Sequence, residues 1–529
     1  GVGVDGGDGS FELSSLASGD GSAGFQINGV DETDFSGGSV SNVGDVNSDG
    51  FDDFIIGARF ADSNGVASGE SYLIYGGVGI DGGDGSFELS SLASGDGSTG
   101  FRINGVDDND RSGVSVSGAG DVNGDGYDDF IIGARLGDSN AGDSGESYIV
   151  YGGSDIDGGD GTFELSSLAS GDGSAGFQLD GIDLNDYSGF SVSSAGDINR
   201  DGYSDIIIAA SYADANGDSS GEVYVVYGGQ NVDGGDGVFE LSSLASGGGT
   251  GFQLNGINAG DGSGRSVSGA GDVNGDGYDD LLIGASTAES STLGSGEVYV
   301  VYGGVNIDGG DGIFELSSLA SGDGSTGFHI NGKNIYDEVG NSVSLAGDVN
   351  GDGYDDLIIG ARAAGDAGES YIIYGASSSY NTYMGSLNDD VFTSTSSVES
   401  FIGRGGNDTL IIEGASSEDI FDGGDDIDRT IYRIQGPDAI DLSEQSLANM
   451  EQVELDGDWE LILTVQDLLD VTDIDNELLV LGDETDTITS LGQGWVQGVD
   501  QVIDTDTYNS YSVGGATLLV DADIIQDIS

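Results

Sequence analysis

The sequence predicts an all-β repeat protein, a β-propeller or related β array, followed by two smaller β-rich segments. Three observations lead there. The pattern D-x-N-x-D-G-x-x-D recurs at residues 45, 121, 197, 272 and 348, at intervals of 76, 76, 75 and 76 residues. Its flanks, such as SVSNVGD and FIIGARF, are rich in β-branched residues and turn glycines, as strands and tight turns are. Helix-period amphipathic stretches are missing from this part, and a fixed long period of short strands marks a propeller or similar array.

Each repeat runs in the same order: FELSSL, then GFxING or a close variant, a Ser/Gly-rich SVS segment, the loop, a run such as FIIGA, and GESYxxYG or GEVYVVYG. The stretches 11–77, 87–153, 163–229, 239–304 and 314–375 are five copies of this unit. Runs such as DFIIGA and SYLIYG suit strands buried on both faces, as between blades. Tyrosine pairs recur (Tyr72/Tyr75, Tyr148/Tyr151, Tyr224/Tyr227, Tyr299/Tyr302, Tyr371/Tyr374). Three-residue spacing in a strand puts the two rings on opposite faces, which suits blade packing better than a sugar-stacking surface. Glu70, Glu146, Glu222, Glu297 and Glu369 precede those tyrosines with no role the sequence reveals. The DGGDG segments at 5–9, 81–85, 157–161, 233–237 and 308–312 read as hairpin turns, with ion binding as the alternative.

The loops carry the chemistry. Oxygen side chains at alternate positions of a tight loop converge on a hard cation at about 2.3–2.6 Å. The expected ligands are Asp45, Asn47, Asp49, the carbonyl of Phe51, and Asp53 in the first loop. They are Asp121, Asn123, Asp125, Tyr127 and Asp129 in the second, and Asp197, Asn199, Asp201, Tyr203 and Asp205 in the third. The fourth offers Asp272, Asn274, Asp276, Tyr278 and Asp280, and the fifth Asp348, Asn350, Asp352, Tyr354 and Asp356. At least five Ca²⁺ ions are expected, with Gly50 and its counterparts allowing the sharp bend. These loops are not EF-hands. Position 12 is Ile56, Ile132, Ile208, Ile283 or Ile359 instead of a bidentate Glu, and the flanks are strands.

SVSGAGDVNGDGYDDLLIGA resembles the FG-GAP repeat of integrin α-subunit propellers and their bacterial relatives, and the resemblance covers residues 10–375. It implies a calcium-binding β-propeller of roughly four-stranded blades, with ions held in loops between blade strands. It also supports Asp, Asn, Asp, a carbonyl and Asp at the first, third, fifth, seventh and ninth loop places. Two departures stand out. That family typically has seven blades and this chain has five repeats, and the FG of the name is replaced by SG, as in SGGSV. Five repeats are expected to close a five-bladed ring, the first and last segments completing one blade across the seam; the alternatives are that N-terminal blades have been cut away or that the tail adds strands.

Beyond the propeller (1–375), GSLNDDVF (385–392), GRGGNDTL (403–410) and GGDDIDRT (423–430) resemble degenerate RTX nonapeptides in a segment 376–435. Asp390, Asp408 and Asp428 stand at the turn Asp position, and a plain Asn/Asp-Gly hairpin region is the alternative. Residues 436–529 read as a small C-terminal β-rich domain with QDLLDVTD as a short helix or turn and Trp459 and Trp495 as core anchors. It resembles the C-terminal region of bacterial proteins exported by type I secretion.

Composition bounds the function. Eleven Lys and Arg against 96 Asp and Glu give a net charge of −85, which excludes nucleic acid and anionic membrane surfaces as partners. Five Ca²⁺ ions would offset only 10 of those charges, so a saline medium would help by screening the rest. The chain has no Cys and one His, His329 in GFHING, read as an ordinary strand residue; His-based hydrolysis and zinc chemistry therefore have little to work with. No run approaches a membrane helix, no signal peptide is visible, and an opening at Gly1 is expected of a processed form or fragment. The expected function is a calcium-stabilised extracellular interaction protein, an adhesin or cell-surface component. Its partner would be a protein or glycan ligand at the cell surface, or copies of itself. The alternatives are a self-assembling filament or surface-layer subunit, and a polysaccharide-active enzyme working through paired carboxylates. No RGD tripeptide is present.

Overall fold

The computed structural model describes residues 13–18, 24–80 and 85–376, apart from 172, 236, 248, 290–293, 306, 308–309, 311, 322–324 and 366. Beyond that it describes the strands from 381 to 455 together with 460–472, 477–503, 506–514 and 516–529. The chain divides into two compact units, one holding the repeats through Ala376 and one spanning Ser377–Ser529. Strand dominates both.

Each of the first three blades of the first unit is assembled from three consecutive repeats. In the second blade the innermost strand Ser115–Gly120 pairs with Asp129–Ala134, which pairs with Glu146–Val150, all antiparallel. The next repeat then supplies Gly176–Asp180, antiparallel to Glu146–Val150, and the repeat after that adds Val238–Glu240 in parallel. The FEL segment is therefore a fifth strand, where the family resemblance led us to expect four. The first three blades are five-stranded, the fourth has four strands and the fifth three, while Gln26–Asn28 and Ser86–Glu88 form a two-stranded sheet. Within every blade the innermost hairpin carries a β-bulge just before the loop, at Gly44, Gly120, Gly196, Gly271 and Gly347, whose φ of 66–78° only glycine adopts freely.

Burial explains the runs of β-branched and aromatic residues. Asp129–Ala134 and Glu146–Val150 are buried at every position. Their two faces pack against different neighbours: Ile132 and Tyr148 meet Ile55, Leu73 and Phe101 of the first blade, and Ile131 and Ile149 meet Ile208 and Tyr224 of the third. Both tyrosines of the first four pairs serve this packing, as expected, whereas Tyr374 of the fifth is 61% exposed. Tyr72, Tyr148, Tyr224 and Tyr299 are at most 1% exposed, and Tyr75, Tyr151, Tyr227 and Tyr302 set ring against Phe101, Phe177, Phe252 and Phe328 at 6.0–6.1 Å. The unexplained glutamates answer a need this burial creates: the hydroxyl of Tyr224 donates to Glu222 at 2.5 Å, and Tyr72, Tyr148 and Tyr299 donate likewise to Glu70, Glu146 and Glu297. His329 sits in its strand opposite Tyr299.

Neighbouring blades are also stitched by hydrogen bonds. The serine that opens each SVS segment accepts the N–H of the following blade's valine, at 3.0–3.1 Å, from Ser39 to Val116, Ser115 to Val192, Ser191 to Val267 and Ser266 to Val343. Those four valines are 4–5% exposed, whereas Val40, at the same place in the first repeat, is 64% exposed, with no such serine partner among the described residues. Contacts between innermost strands run from Ser39–Gly44 through each blade to Val339–Gly347, with no comparable contact from last to first among the described residues. The seam expected between first and last segments is accordingly absent. Gln26–Asn28 pairs with Ser86–Glu88, and among the described residues Glu369–Ile373 has no strand on its outer edge.

The second unit is built on parallel ladders. Val391–Ser394, Thr409–Ile412, Arg429–Tyr432, Gln452–Leu455, Glu477–Leu481 and Ala516–Asp521 form one parallel run, and Asn381–Met384, Glu399–Ile402, Ile420–Asp422 and Ser446–Ala448 another. The first run passes straight through the boundary expected at 435/436, so that division has no counterpart in the sheet. Asp390, Asp408 and Asp428 lie outside the described residues, as does Trp459. Trp495 is a core residue, with its indole N–H donated to Ser490 Oγ at 2.8 Å beside Leu461, Leu478 and Ile488. Val465–Val471 forms the short helix anticipated for QDLLDVTD.

Candidate metal centres

Each loop links an innermost strand to its neighbour at one end of the blade. In the second loop Asp121 folds back over the turn, Oδ1 accepting the N–H of Gly124 and Asp125 at 2.7 and 3.1 Å and Oδ2 that of Gly126 at 2.8 Å. Asn123 Oδ1 accepts the Asp125 N–H at 2.8 Å, and Asp125 Oδ1 the Tyr127 N–H at 3.0 Å. The first, third and fifth side chains thus share one turn. The same bonds recur for Asp45, Asn47 and Asp49, for Asp197, Asn199 and Asp201, and for Asp348, Asn350 and Asp352. Gly50, Gly126, Gly202, Gly277 and Gly353 take φ of 84–95°, the bend foreseen for them. The seventh residues, Phe51, Tyr127, Tyr203 and Tyr354, enter by donating N–H to the fifth.

The ninth residue does something different. Asp53, Asp129, Asp205, Asp280 and Asp356 are fully buried. One oxygen accepts the N–H of the loop's second residue at 2.9–3.1 Å, and the other accepts a glycine N–H beyond the third strand at 2.7–2.9 Å. It clamps the loop to the blade. Burial, augmented by the loop's other acids, pushes Asp53 to about 6 and Asp129 and Asp205 to about 8, against the pull of those N–H groups.

The eighth residue was not anticipated. Asp128 reaches back to the preceding loop and accepts the Asp45 N–H at 2.9 Å; Asp279 and Asp355 do the same for Asp197 and Asp272 at 2.8 and 3.1 Å. At the remaining junction Ser204 donates its N–H to the Asp121 carbonyl at 3.0 Å. The signal was present as a second acid in DD at four of the five loops. The DGGDG segments, by contrast, close on themselves where described: Asp157 and Asp233 accept the N–H of Gly161 and Gly237 at 2.6 and 2.7 Å.

The FG-GAP repeat family matches residues 36–74, 112–150, 188–226, 263–301 and 339–373. The chain carries five FG-GAP repeats. Each match opens just before an innermost strand and closes at or near the end of the third, leaving out the FEL and GFxIN strands that the next blades exchange. The chain is also similar to integrin alpha-6 of Gallus gallus, 30% identical over 111 residues, which is 21% of this chain and 9% of that protein.

The FG-GAP loops fit a hard cation by donor type, since every side chain proposed to bind is a carboxylate or amide oxygen donor. Among the described residues the carboxylates are spread over backbone amides and not drawn into a three-acid cluster. A carboxylate oxygen that accepts one amide keeps a lone pair, whereas Asp121 Oδ1 and Asp348 Oδ1 each accept two.

Two outcomes are expected. Asp128→Ala should lower stability by about 1.5–3 kcal/mol in urea unfolding, the scale of a hydrogen bond to a charged group. Asp52→Ala, which has no preceding loop to cap, should change it by less than about 0.5 kcal/mol. The second concerns pH. Carboxyls raised in the folded state bind protons more tightly there than in the unfolded chain, so stability falls as pH rises between about 4 and 8. In chelator, the melting temperature should therefore rise by about 5 °C or more from pH 8 to pH 5.5, and excess calcium should flatten that slope.

Proposed function

We propose that this chain is a calcium-stabilised extracellular interaction protein with no catalysis of its own. The observation that carries the reading is the placement of five oxygen-rich loops at the seams of the FG-GAP blades, where the eighth residue of each loop after the first touches the loop before it. A divalent ion there neutralises carboxylates that otherwise repel one another, so ion binding adds to folding stability. Millimolar extracellular calcium fills such sites and resting cytosol does not, which supports an extracellular setting. No helix among the described residues is long and apolar enough to cross a membrane. Similarity to part of an integrin α-chain supports ligand binding in place of turnover, and the recurrent acids have structural duties in every blade. EGTA should lower the melting temperature by more than about 10 °C, reversibly on adding calcium; a melt indifferent to chelator would refute the reading.

A second reading, assembly from copies of the chain, is favoured by the unfinished blades. In the four preceding blades the third strand meets a GFxIN strand in one register, Ser71 opposite Ile103, Ser147 opposite Leu179, Val223 opposite Leu254 and Val298 opposite Ile330. Glu369–Ile373 lacks that partner, and Gln26–Asn28 lacks the inner strands it would join. By the same register Ser370 would face Ile27 of a second copy. Chains bearing only Ile27→Cys and only Ser370→Cys, mixed and oxidised, should yield disulfide-linked dimers that neither forms alone. If the doubly substituted chain instead links only to itself at every concentration, the repeats close within one molecule and this reading fails.

A further inference from the structure

Four of the chain's few basic residues gather round two aromatic rings. The guanidinium carbons of Arg59 and Arg111 lie 5.2 and 5.0 Å from the centre of the Phe60 ring, and those of Arg135 and Arg265 lie 5.1 and 4.7 Å from that of Phe190. Tyr212 packs against Phe190 at 6.2 Å. Four different repeats contribute, at corresponding ends of their blades. Arg59 and Arg135 follow the strands ending at Ala58 and Ala134, Arg265 immediately precedes Ser266–Gly271, and Arg111 lies just ahead of Ser115–Gly120. This is the open end of the innermost hairpin, where Ser39 faces Gly57; the metal loop closes the other end, beside Gly44 and Asp53. Six residues of strand at about 3.3 Å each put the two ends roughly 20 Å apart, on opposite faces of the blades.

Stacking satisfies the flat faces of these guanidiniums and leaves their N–H edges in need of acceptors. Among the described residues none of the four makes an ion pair, although Arg102 and Arg362 do so with Glu70 and Glu338. Arg111 Nε and Arg135 Nε are buried without a hydrogen-bond partner. Burial and the neighbouring Arg111, Arg59 and Arg265 charges hold Arg135 below its ordinary pKa. In a chain with 96 acids, four unpaired arginines side by side are the opposite of what charge balance would produce. Beside Arg265 and Tyr212 a cavity of about 290 Å³ is lined further by Ser211, Ser286, Thr287 and the paired Arg362 and Glu338, room for a ligand of one or two sugar rings.

We propose that this arginine–aromatic face binds a short acidic saccharide carrying a carboxylate or sulfate. Guanidinium edges take such oxyanions in pairs of parallel hydrogen bonds, rings stack on the sugar's apolar face, and serine and threonine hydroxyls match its own hydroxyls. A long polyanion is disfavoured by the −85 field of the rest of the chain. The proposal rests on the reading of the FG-GAP unit as an interaction module and names its ligand.

Titration calorimetry on the full chain in calcium tests it with trigalacturonate, a sulfated disaccharide and neutral maltotriose. At least one acidic probe should bind, with maltotriose about tenfold weaker or worse, and the preferred probe tells carboxylate from sulfate. Arg265→Gln and Arg135→Gln should each weaken binding about tenfold or more, the scale of one hydrogen bond to a charged group. Their melting temperatures should stay level or rise, because one of four like charges has gone. Silence from both acidic probes at millimolar concentration, equal binding of maltotriose, or undiminished affinity in both variants overturns the proposal. The calcium-dependent melt, recorded on the same samples, would survive all three results, so failure of the ligand proposal is distinguishable from failure of the interaction-module reading.

Discussion

No repeat of this chain completes a blade by itself, and most of the structure follows from that constraint. Gly176–Asp180 is held between Glu146–Val150 of the repeat before and Val238–Glu240 of the repeat after, so one strand depends on three repeats at once. The result is nearest-neighbour stabilisation, in which each blade's free energy includes strands its neighbours supply. It also explains where the period relaxes. The single 75-residue interval comes from ASGGGTGF, one residue shorter than ASGDGSAGF, in the turn ahead of the exchanged strand. Register survives, with Val223 opposite Leu254 as Ser147 is opposite Leu179.

The same architecture decides how so many acids are tolerated. Carboxylates repel, but a buried one is stable if N–H groups meet it and its pKa shifts to suit. The chain assigns its loop aspartates to three separate tasks. The first and fifth cap the turn, the eighth reaches the preceding loop, and the ninth ties the loop to the strand beyond. The blades are therefore held in part by backbone-to-carboxylate hydrogen bonds, and the calcium dependence proposed above would act on these same side chains.

The fold was largely legible in the sequence because its signals are local and repeated five times. Period, strand composition, loop glycines and tyrosine burial all depend on residues within one repeat. What escaped depends on neighbours. The FEL segment is a strand only because another repeat's GFxIN lies beside it, and its three residues, Val238–Glu240 for instance, are too short to announce themselves. The eighth-place aspartate caps an N–H 83 residues away, a partner no spacing rule reaches. The glutamate before each tyrosine became intelligible once Tyr148 proved fully buried and in need of an acceptor. The open seam could not be read, because five repeats and a matching pair of end strands are equally consistent with a ring.

The third loop shows the loop and the seam being adjusted together. Where the other loops carry Asp at the eighth place and a small residue at the fourth, it has Ser204 and Arg200. Losing one acid and gaining one base makes this loop two charges less negative than its fellows. The junction loses its carboxylate cap and keeps the backbone bond from the Ser204 N–H to the Asp121 carbonyl, a bond that the capped junctions at Asp279 and Asp355 also make. Arg200 meanwhile lays its guanidinium over the ring of Tyr278 in the next loop, 5.4 Å from the centroid. A cation–π contact thus links the third loop forward alongside the usual acid cap, that of Asp279 on Asp197. The backbone bond between successive loops persists at the seam where the carboxylate cap is missing. What the fold requires at these positions is contact between neighbours, and the excess of aspartate there beyond that requirement is the part that points to a cation.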